Sequence, residues 1–119
     1  MTFTGFLERY GEKLAMATLV HFKYVIVSVA IGFVIALSLG IILSRFPKSS
    51  KYLIPILSIF QTIPGMVFIG VLFIYLGMVP LTIYIALSIY AIFPILKNTY
   101  TGLVNVDHSI KEAARGCGM

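Results

Sequence analysis

Two long stretches of the chain contain no charged residue. One covers residues 24–44 and the other covers residues 52–96. The first, as a helix rising 1.5 Å per residue, would span about 30 Å, the thickness of one hydrocarbon core. The second would reach about 68 Å as a single helix, so it must turn back. We expect the turn at LGMVP, residues 76–80, because Gly frees the backbone and Pro resists helix continuation.

This pattern predicts an all-α, polytopic membrane protein. About three spans are expected near residues 24–44, 53–76 and 80–96, within a membrane region of residues 24–105. The composition agrees, since 60% of the residues are hydrophobic and only 11% are charged. A soluble domain is closer to half apolar and one quarter charged. The single cysteine excludes an internal disulfide framework.

The distribution of basic residues predicts the orientation. Residues 45–51 carry three bases and no acid, and Lys97, Lys111 and Arg115 follow the third predicted span. Because basic loops stay in the cytoplasm, we expect the C-terminal tail, residues 106–119, to be inside and the N-terminus outside. Residues 1–23 would then be an extracytoplasmic leader. Two alternatives stay open for it: an interfacial amphipathic helix, or a solvated segment that continues into the first span.

The predicted spans contain only uncharged polar groups. Proton relays and ion-coupled sites need ionisable residues inside the membrane, so this portion of the chain does not resemble a self-powered pump. We expect the hydroxyls to make helix–helix or backbone hydrogen bonds. The tyrosines fit interfacial anchoring better than a ligand cage, since most lie near the predicted span ends; they are Tyr52, Tyr75, Tyr84, Tyr90 and Tyr100.

The stretch QTIPGM, residues 61–66, is the most unusual part of the second span. It contains Gln61, Thr62, Pro64 and Gly65, and the Pro-Gly pair predicts a kink. A bent helix that lines a translocation path and an ordinary kinked packing helix are equally compatible with this pattern. In the first span, small residues recur every four positions, at Gly32, Ala36 and Gly40. This spacing predicts close approach of another helix.

The tail SIKEAARGCGM predicts a short helix. Ser109 and Glu112 have the spacing of a capping box, with Ser109 as N-cap. Ala113 and Ala114 favour the helix, and the glycines of GCG would end it. The chain has no Walker A sequence, no metal-ligand cluster and no nucleophile–base pattern, so we expect no directly bound cofactor and no catalytic residue.

The segment EAARGCG, residues 112–118, resembles the E-A-A-x-x-x-G signature of ABC importer permeases, the inner membrane components of binding-protein-dependent transport systems. Residues 90–119 and QTIPGM are similar to the branch that imports osmoprotectants such as glycine betaine, carnitine and choline. The resemblance implies that Glu112, Ala113, Ala114 and Gly118 belong to a cytoplasmic coupling loop that docks on an ABC ATPase. It also implies that QTIPGM helps to line the pathway.

Further partners follow from the same resemblance. ATP would bind to the ATPase and be hydrolysed there, so this chain would not be an enzyme. A second permease copy or a related permease, an extracellular substrate-binding protein and the lipid bilayer complete the expected assembly, in a bacterial cell membrane. No nucleic acid is expected.

The resemblance also has a gap. In the family the loop continues after the glycine to an I-x-L-P segment and further spans, whereas this sequence ends one residue after Gly118. We therefore expect a C-terminally truncated, N-terminal part of a larger permease fold with an incomplete coupling loop. Two alternatives stay open: an ABC permease for another small solute, such as an amino acid or an oxyanion, and a transport-inactive membrane fragment.

Overall fold

The computed structural model describes residues 2–119, and this part of the chain is helical with no strand. The helices are α1 (Phe3–Ser44), α2 (Ser50–Thr62), α3 (Gly65–Leu76), α4 (Pro80–Val104) and α5 (His108–Gly116), with a 3₁₀ turn at Pro47–Ser49. The molecule is elongated, with extents of 66 × 35 × 22 Å. The prediction of an all-α fold is confirmed.

α1 is one continuous helix of 42 residues. At 1.5 Å per residue its length is about 63 Å, roughly twice a hydrocarbon core. Thr2 caps it, and its Oγ1 accepts a hydrogen bond from the Gly5 N–H at 3.4 Å. The backbone has no break near Tyr24. This continuity agrees with the alternative in which residues 1–23 continue directly into the first span. The extracytoplasmic location of residues 1–23 stays a prediction.

α1 and α4 pack side by side and run in the same direction. The contacting pairs that show this are Tyr24 with Tyr84, Gly32 with Ala91, and Gly40 with Thr99. The residue numbers differ by 60 in the first pair and by 59 in the other two, so one register holds along the whole contact. An antiparallel pair would show a constant sum of residue numbers instead.

The predicted small-residue stripe lies in this contact. The buried residues of α1 are Ser28, Gly32, Ala36 and Gly40, each four positions from the next. A Cβ atom on Gly32 would lie 2.9 Å from the Ser88 carbonyl oxygen, so only glycine permits this backbone approach. The prediction of close packing is thus confirmed, and the partner surface is α4.

α2 runs antiparallel to α4, along the C-terminal half of α4. Ser58 lies opposite Lys97, Phe60 lies opposite Phe93, and Ile63 lies opposite Tyr90. These pairs have nearly constant sums of residue numbers, which is the mark of antiparallel helices. Leu57 of α2 is buried with Ala36 and Leu96 in the small hydrophobic core.

The second predicted span is broken rather than kinked. α2 and α3 meet at an angle of 86°. Ile63 and Pro64 are extended between them, with ψ angles of 122° and 132°. Pro64 has no N–H to donate and disfavours helical geometry at the residue before it, so the break falls where QTIPGM predicted a kink. By contrast, Pro55 and Pro94 lie inside α2 and α4.

Because α1 and α4 are parallel, residues 45–79 must run back from the end of α1 to the start of α4. By the register of 59, Ser44 at the end of α1 lies level with Leu103 near the end of α4, and Pro80 at the start of α4 lies level with His21. The chain therefore returns along about 35 Å of the α1–α4 pair. α2 and α3 together make this return.

α4 is longer than the third predicted span. It continues eight residues beyond residue 96, to Val104. α1 and α4 are each long and apolar enough to cross a membrane, and α2 with α3 passes the same test as a single bent segment. α1 includes the predicted span 24–44, and α4 includes the predicted span 80–96.

Candidate functional site

The four residues singled out as pathway candidates all lie at the break between α2 and α3. Gln61 is half-buried in the last turn of α2, and Thr62 ends that helix. The Thr62 Oγ1 donates a hydrogen bond to the Ile59 carbonyl oxygen at 2.6 Å. Pro64 is exposed, and Gly65 begins α3 beside the Tyr90 ring. The structure thus keeps them together, and their role in lining a pathway stays a prediction.

An aromatic cluster surrounds this break. We define it as Phe60, Phe68, Tyr90 and Phe93. The Phe60 and Phe93 rings are stacked with centroids 5.1 Å apart, and Phe68 lies 6.1 Å from Tyr90 and 6.5 Å from Phe93. Such pairs add about 0.5–1.5 kcal/mol each beyond their buried area. Because the rings contact one another, the cluster fills the angle between α2, α3 and α4.

Tyr90 also bonds to the broken backbone. Its hydroxyl donates to the Ile63 carbonyl oxygen at 2.9 Å. In a continuous helix that carbonyl would accept from Val67, but the Val67 N–H bonds to the Pro64 oxygen instead, at 2.9 Å. The tyrosine therefore satisfies an acceptor that the break releases, which matters where no water is present.

The expected anchoring role of the tyrosines is wrong for two of them. Tyr90 packs at the break, and Tyr100 is 1% exposed, with its backbone nitrogen beside Gly40. The reason is that α4 continues past the predicted span end, so Tyr100 is a buried residue of this helix. Tyr52 and Tyr75 are 68% and 80% exposed, as anchoring requires.

Lys97 lies inside α4, which continues to Val104. By the register of α1 and α4 it is level with Ser38, within the charge-free part of α1. Its side chain is half-buried, and its Nζ donates to the Ser58 Oγ of α2 at 2.9 Å. α4 therefore does not end at Lys97, and the location of this base beyond the third span stays a prediction. The sequence alone placed the helix end at the first charge.

Sequence reasoning missed this group of contacts, although a signal was present. Tyr90, Phe93 and Lys97 are spaced i, i+3 and i+7, so they share one face of α4. All three contact α2 or the break that follows it. This helical spacing of a lysine and two aromatic residues was the signal that one face of α4 contacts another helix.

α5 begins two residues earlier than the sequence predicted. Its N-cap is Asp107, whose carbonyl accepts from the N–H groups of Ile110 and Lys111 at 3.1 and 3.2 Å. The Ser109 capping box is therefore wrong: Ser109 lies within the helix, because Asp107 is equally suited to the cap position. Glu112 instead pairs with His108 one turn earlier, with the Nδ1 and Oε1 atoms 3.4 Å apart.

The C-terminal end of α5 has a Schellman motif. Gly118 has a φ of +81°, its N–H bonds to the Arg115 oxygen at 3.0 Å, and the Met119 N–H bonds to the Ala114 oxygen at 2.9 Å. This pattern places a glycine in the left-handed region at the residue after the cap. The prediction that the glycines end the helix is confirmed.

The residues proposed for coupling are presented to solvent. Glu112, Ala113 and Gly118 are exposed, and Ala114 is half-buried. Only residues 105–107 separate α5 from the end of α4. The arrangement offers a short helix with small side chains, held close to the end of a long apolar helix.

The site at the break is separate from the apolar groove of the molecule. A groove of about 260 Å³ opens between α1 and α4, lined by aliphatic side chains that include Ile31, Ile35 and Ile89; none of the pathway candidates lines it. Among residues 2–119, no three His, Cys, Asp or Glu side chains lie close enough to share a metal ion.

The helices and their composition define an integral membrane protein. Residues 28–119 match the family model described as binding-protein-dependent transport system inner membrane component. The chain belongs to this family, whose members are membrane components of ABC transporters and not enzymes themselves.

Curated relatives resemble the chain along most of its length. It is 36% identical to the carnitine transport permease protein OpuCB of Listeria monocytogenes and 33% identical to the choline transport system permease protein OpuBB of Bacillus subtilis, in both cases over 96% of the chain and 52% of the relative. It is also 36% identical to the carnitine transport permease protein OpuCD of Listeria monocytogenes, over 83% of the chain and 44% of that protein.

The chain spans about half the length of the curated relatives it matches. No solved structure matches it.

Proposed function

We propose that this chain is part of the permease subunit of an ATP-driven importer for osmoprotectants such as glycine betaine, carnitine and choline. The observation that carries the proposal is the match of residues 28–119 to the permease family, together with relatives whose names state carnitine or choline transport. These names favour osmoprotectants over another small solute such as an amino acid.

The proposed role of α5 is to dock on a cytoplasmic ABC ATPase. Its exposed surface and its small alanines allow a partner to approach the helix backbone closely. Gly118 ends the helix within one turn of the alanines, so the docking surface is short. ATP binds to the ATPase, and a movement of the docked α5 is passed to the membrane region through α4.

The proposed topology has three crossings, with the N-terminus outside and the tail inside. Parallel packing of α1 and α4 supports it, because two parallel spans need a return crossing between them, and α2 with α3 is long enough to supply it. The bases at residues 45–51 and in α5 support a cytoplasmic location for both segments.

The proposed partners are the ATPase, an extracellular substrate-binding protein and a second permease. The relatives include two differently named permease proteins of one system, OpuCB and OpuCD. A related permease beside this chain is therefore as suitable as a second copy.

The test is uptake in proteoliposomes that contain the chain with its ATPase, a binding protein and a second permease. Radiolabelled glycine betaine, carnitine, choline and one amino acid are supplied in turn, with ATP inside. ATP-dependent uptake of the quaternary amines alone supports the proposal. Uptake of the amino acid instead supports the alternative cargo. An assembled complex that takes up none of them identifies a transport-inactive fragment.

A further inference from the structure

We propose that Tyr90 and Lys97 are positioning residues that clamp the break between α2 and α3 onto α4, the helix that leads into α5. The inference rests on the proposed function for its role in transport, but the clamp itself is a property of these helices. It is carried by two side-chain hydrogen bonds from one face of α4.

The first point of the clamp is Tyr90. Its hydroxyl holds the Ile63 carbonyl at 2.9 Å, and its ring lies 3.7 Å from the position of a Cβ on Gly65. The same side chain therefore contacts the residues on both sides of Pro64. A rotation of α3 about the break must break this hydrogen bond or move α4.

The second point is Lys97. An ammonium group at this depth in an apolar helix pair is costly unless it finds an acceptor. Ser58 supplies one at 2.9 Å, while its own hydroxyl donates to the Ile54 carbonyl at 2.9 Å. The lysine thus ties α2 to α4 at a position about one and a half turns before the break.

Phe93 lies between the two points and stacks on Phe60. The opposite face of α4 is held by the glycine stripe of α1, where Gly40 lies against Thr99 and Tyr100. From Lys97 the helix continues without interruption to Val104, and α5 begins after three intervening residues. A displacement of α5 therefore passes through residues 105–107 into α4, and α4 is joined to α2 and the break by the hydrogen bonds of Lys97 and Tyr90.

The clamp is tested by measuring the orientation of α3 against α4. Spin labels are placed at Ile74→Cys, which is 81% exposed on α3, and at Gly102→Cys, which faces open space on α4, in a Cys117→Ser background. The distance distribution between the labels is then recorded by pulsed electron resonance in lipid nanodiscs.

We expect Tyr90→Phe and Lys97→Met each to broaden this distribution about twofold, because either change leaves the break held at one point only. Lys97→Arg keeps a cationic donor and is expected to restore the narrow distribution. Tyr84→Phe and Lys51→Met are matched controls, since neither side chain contacts the break. They are expected to leave the width unchanged.

Serine variants separate the clamp from a general loss of stability. Ser58→Ala removes the acceptor of Lys97, whereas Ser38→Ala removes a similar hydroxyl that bonds only to the Val34 carbonyl. Broadening by Ser58→Ala but not by Ser38→Ala supports the clamp. Unchanged width in Tyr90→Phe, Lys97→Met and Ser58→Ala overturns it, as does equal broadening by the controls.

Transport is a separate readout in the reconstituted complex. Lys97→Met is expected to lower uptake per ATP hydrolysed while leaving ATPase co-purification unchanged, and Lys97→Arg is expected to recover it. If the complex transports no osmoprotectant, the proposed function fails while the label distances still decide the clamp. If uptake is intact in Lys97→Met with a broadened break, the role in coupling is wrong.

Discussion

Gly40 of α1 and Thr99 of α4 are in such close contact that a Cβ atom on Gly40 would lie 2.6 Å from the Thr99 Cγ2 and 2.9 Å from its Cβ. No real Cβ atom tolerates the first distance, so Gly40→Ala must push the helices apart. We expect it to lower the free energy of unfolding by about 1–3 kcal/mol, the usual cost of overpacking. Unfolding by SDS in mixed micelles, followed by circular dichroism, measures this.

The control is Gly102→Ala in α4, where a new Cβ meets nothing within 4 Å. It should be neutral or stabilising by up to about 1 kcal/mol, because alanine favours the helix. Adding Thr99→Ala to Gly40→Ala removes the Cγ2 but keeps the Cβ, so we expect partial recovery. A Gly40→Ala chain as stable as Gly102→Ala would disprove this contact.

Tyr100→Phe is expected to maintain or raise stability. The Tyr100 hydroxyl is buried and has no hydrogen-bond partner among residues 2–119. An unsatisfied buried polar group costs about 1–3 kcal/mol, so its removal from an otherwise unchanged ring should gain up to about 1 kcal/mol. The same SDS titration measures it. A clear loss of stability in Tyr100→Phe, but not in Tyr84→Phe, would show that the hydroxyl has a partner.

Gly118→Ala should loosen the end of α5. With a φ of +81°, an alanine at this position is strained by about 1 kcal/mol, and the Schellman hydrogen bonds weaken. We expect faster amide hydrogen exchange at Met119, whose N–H bonds to Ala114. Gly116→Ala, inside the helix and facing open space, is the control and should slow exchange. Equal exchange rates in both variants would count against the motif.

If α5 docks on an ABC ATPase as proposed, Glu112→Lys should weaken that association without preventing membrane insertion. The change reverses an exposed charge on α5 and also removes the contact of the Glu112 carboxylate with His108. His108→Ala removes the contact alone and separates the two effects. Co-purification of the ATPase with the assembled transporter measures the association. Undiminished binding in Glu112→Lys would argue against docking through this helix.

Cys117 reports the side of the membrane on which the tail lies. It is exposed and is the single cysteine of the sequence. A membrane-impermeant maleimide should modify it in inside-out vesicles and leave it unmodified in intact cells. Modification in intact cells would reverse the proposed topology, and Cys117→Ser provides the background signal.

The sequence predicted those features that depend on neighbouring residues. Pro64 disfavours helical geometry at Ile63 and Gly65 loosens the same turn, so a kink was predictable at QTIPGM. Pro55 and Pro94, by contrast, lie inside helices. The spacing of Gly32, Ala36 and Gly40 likewise predicted a close-packed face, but could not identify α4 as its partner. The identity of the partner helix depends on residues that are 59 positions away in the sequence.

Other features could not be predicted from the spacing of residues in the sequence. Lys97 marks the end of a charge-free run, but α4 continues past it, and the Lys97 Nζ donates to the Ser58 hydroxyl of a different helix. Asp107 and Ser109 are both good helix caps, and the sequence alone gave no reason to prefer the earlier one. Glu112, Ala113 and Ala114 lie on α5 despite this error, and their docking role stays a prediction.

The parallel contact between α1 and α4 also has a consequence for synthesis. Gly40 emerges 59 residues before Thr99, which at about 5–20 residues per second is a delay of roughly 3–12 s. During that time the glycine face of α1 has no partner from its own chain. The insertion machinery or the lipid must cover it, and another α1 nearby would compete for the same face.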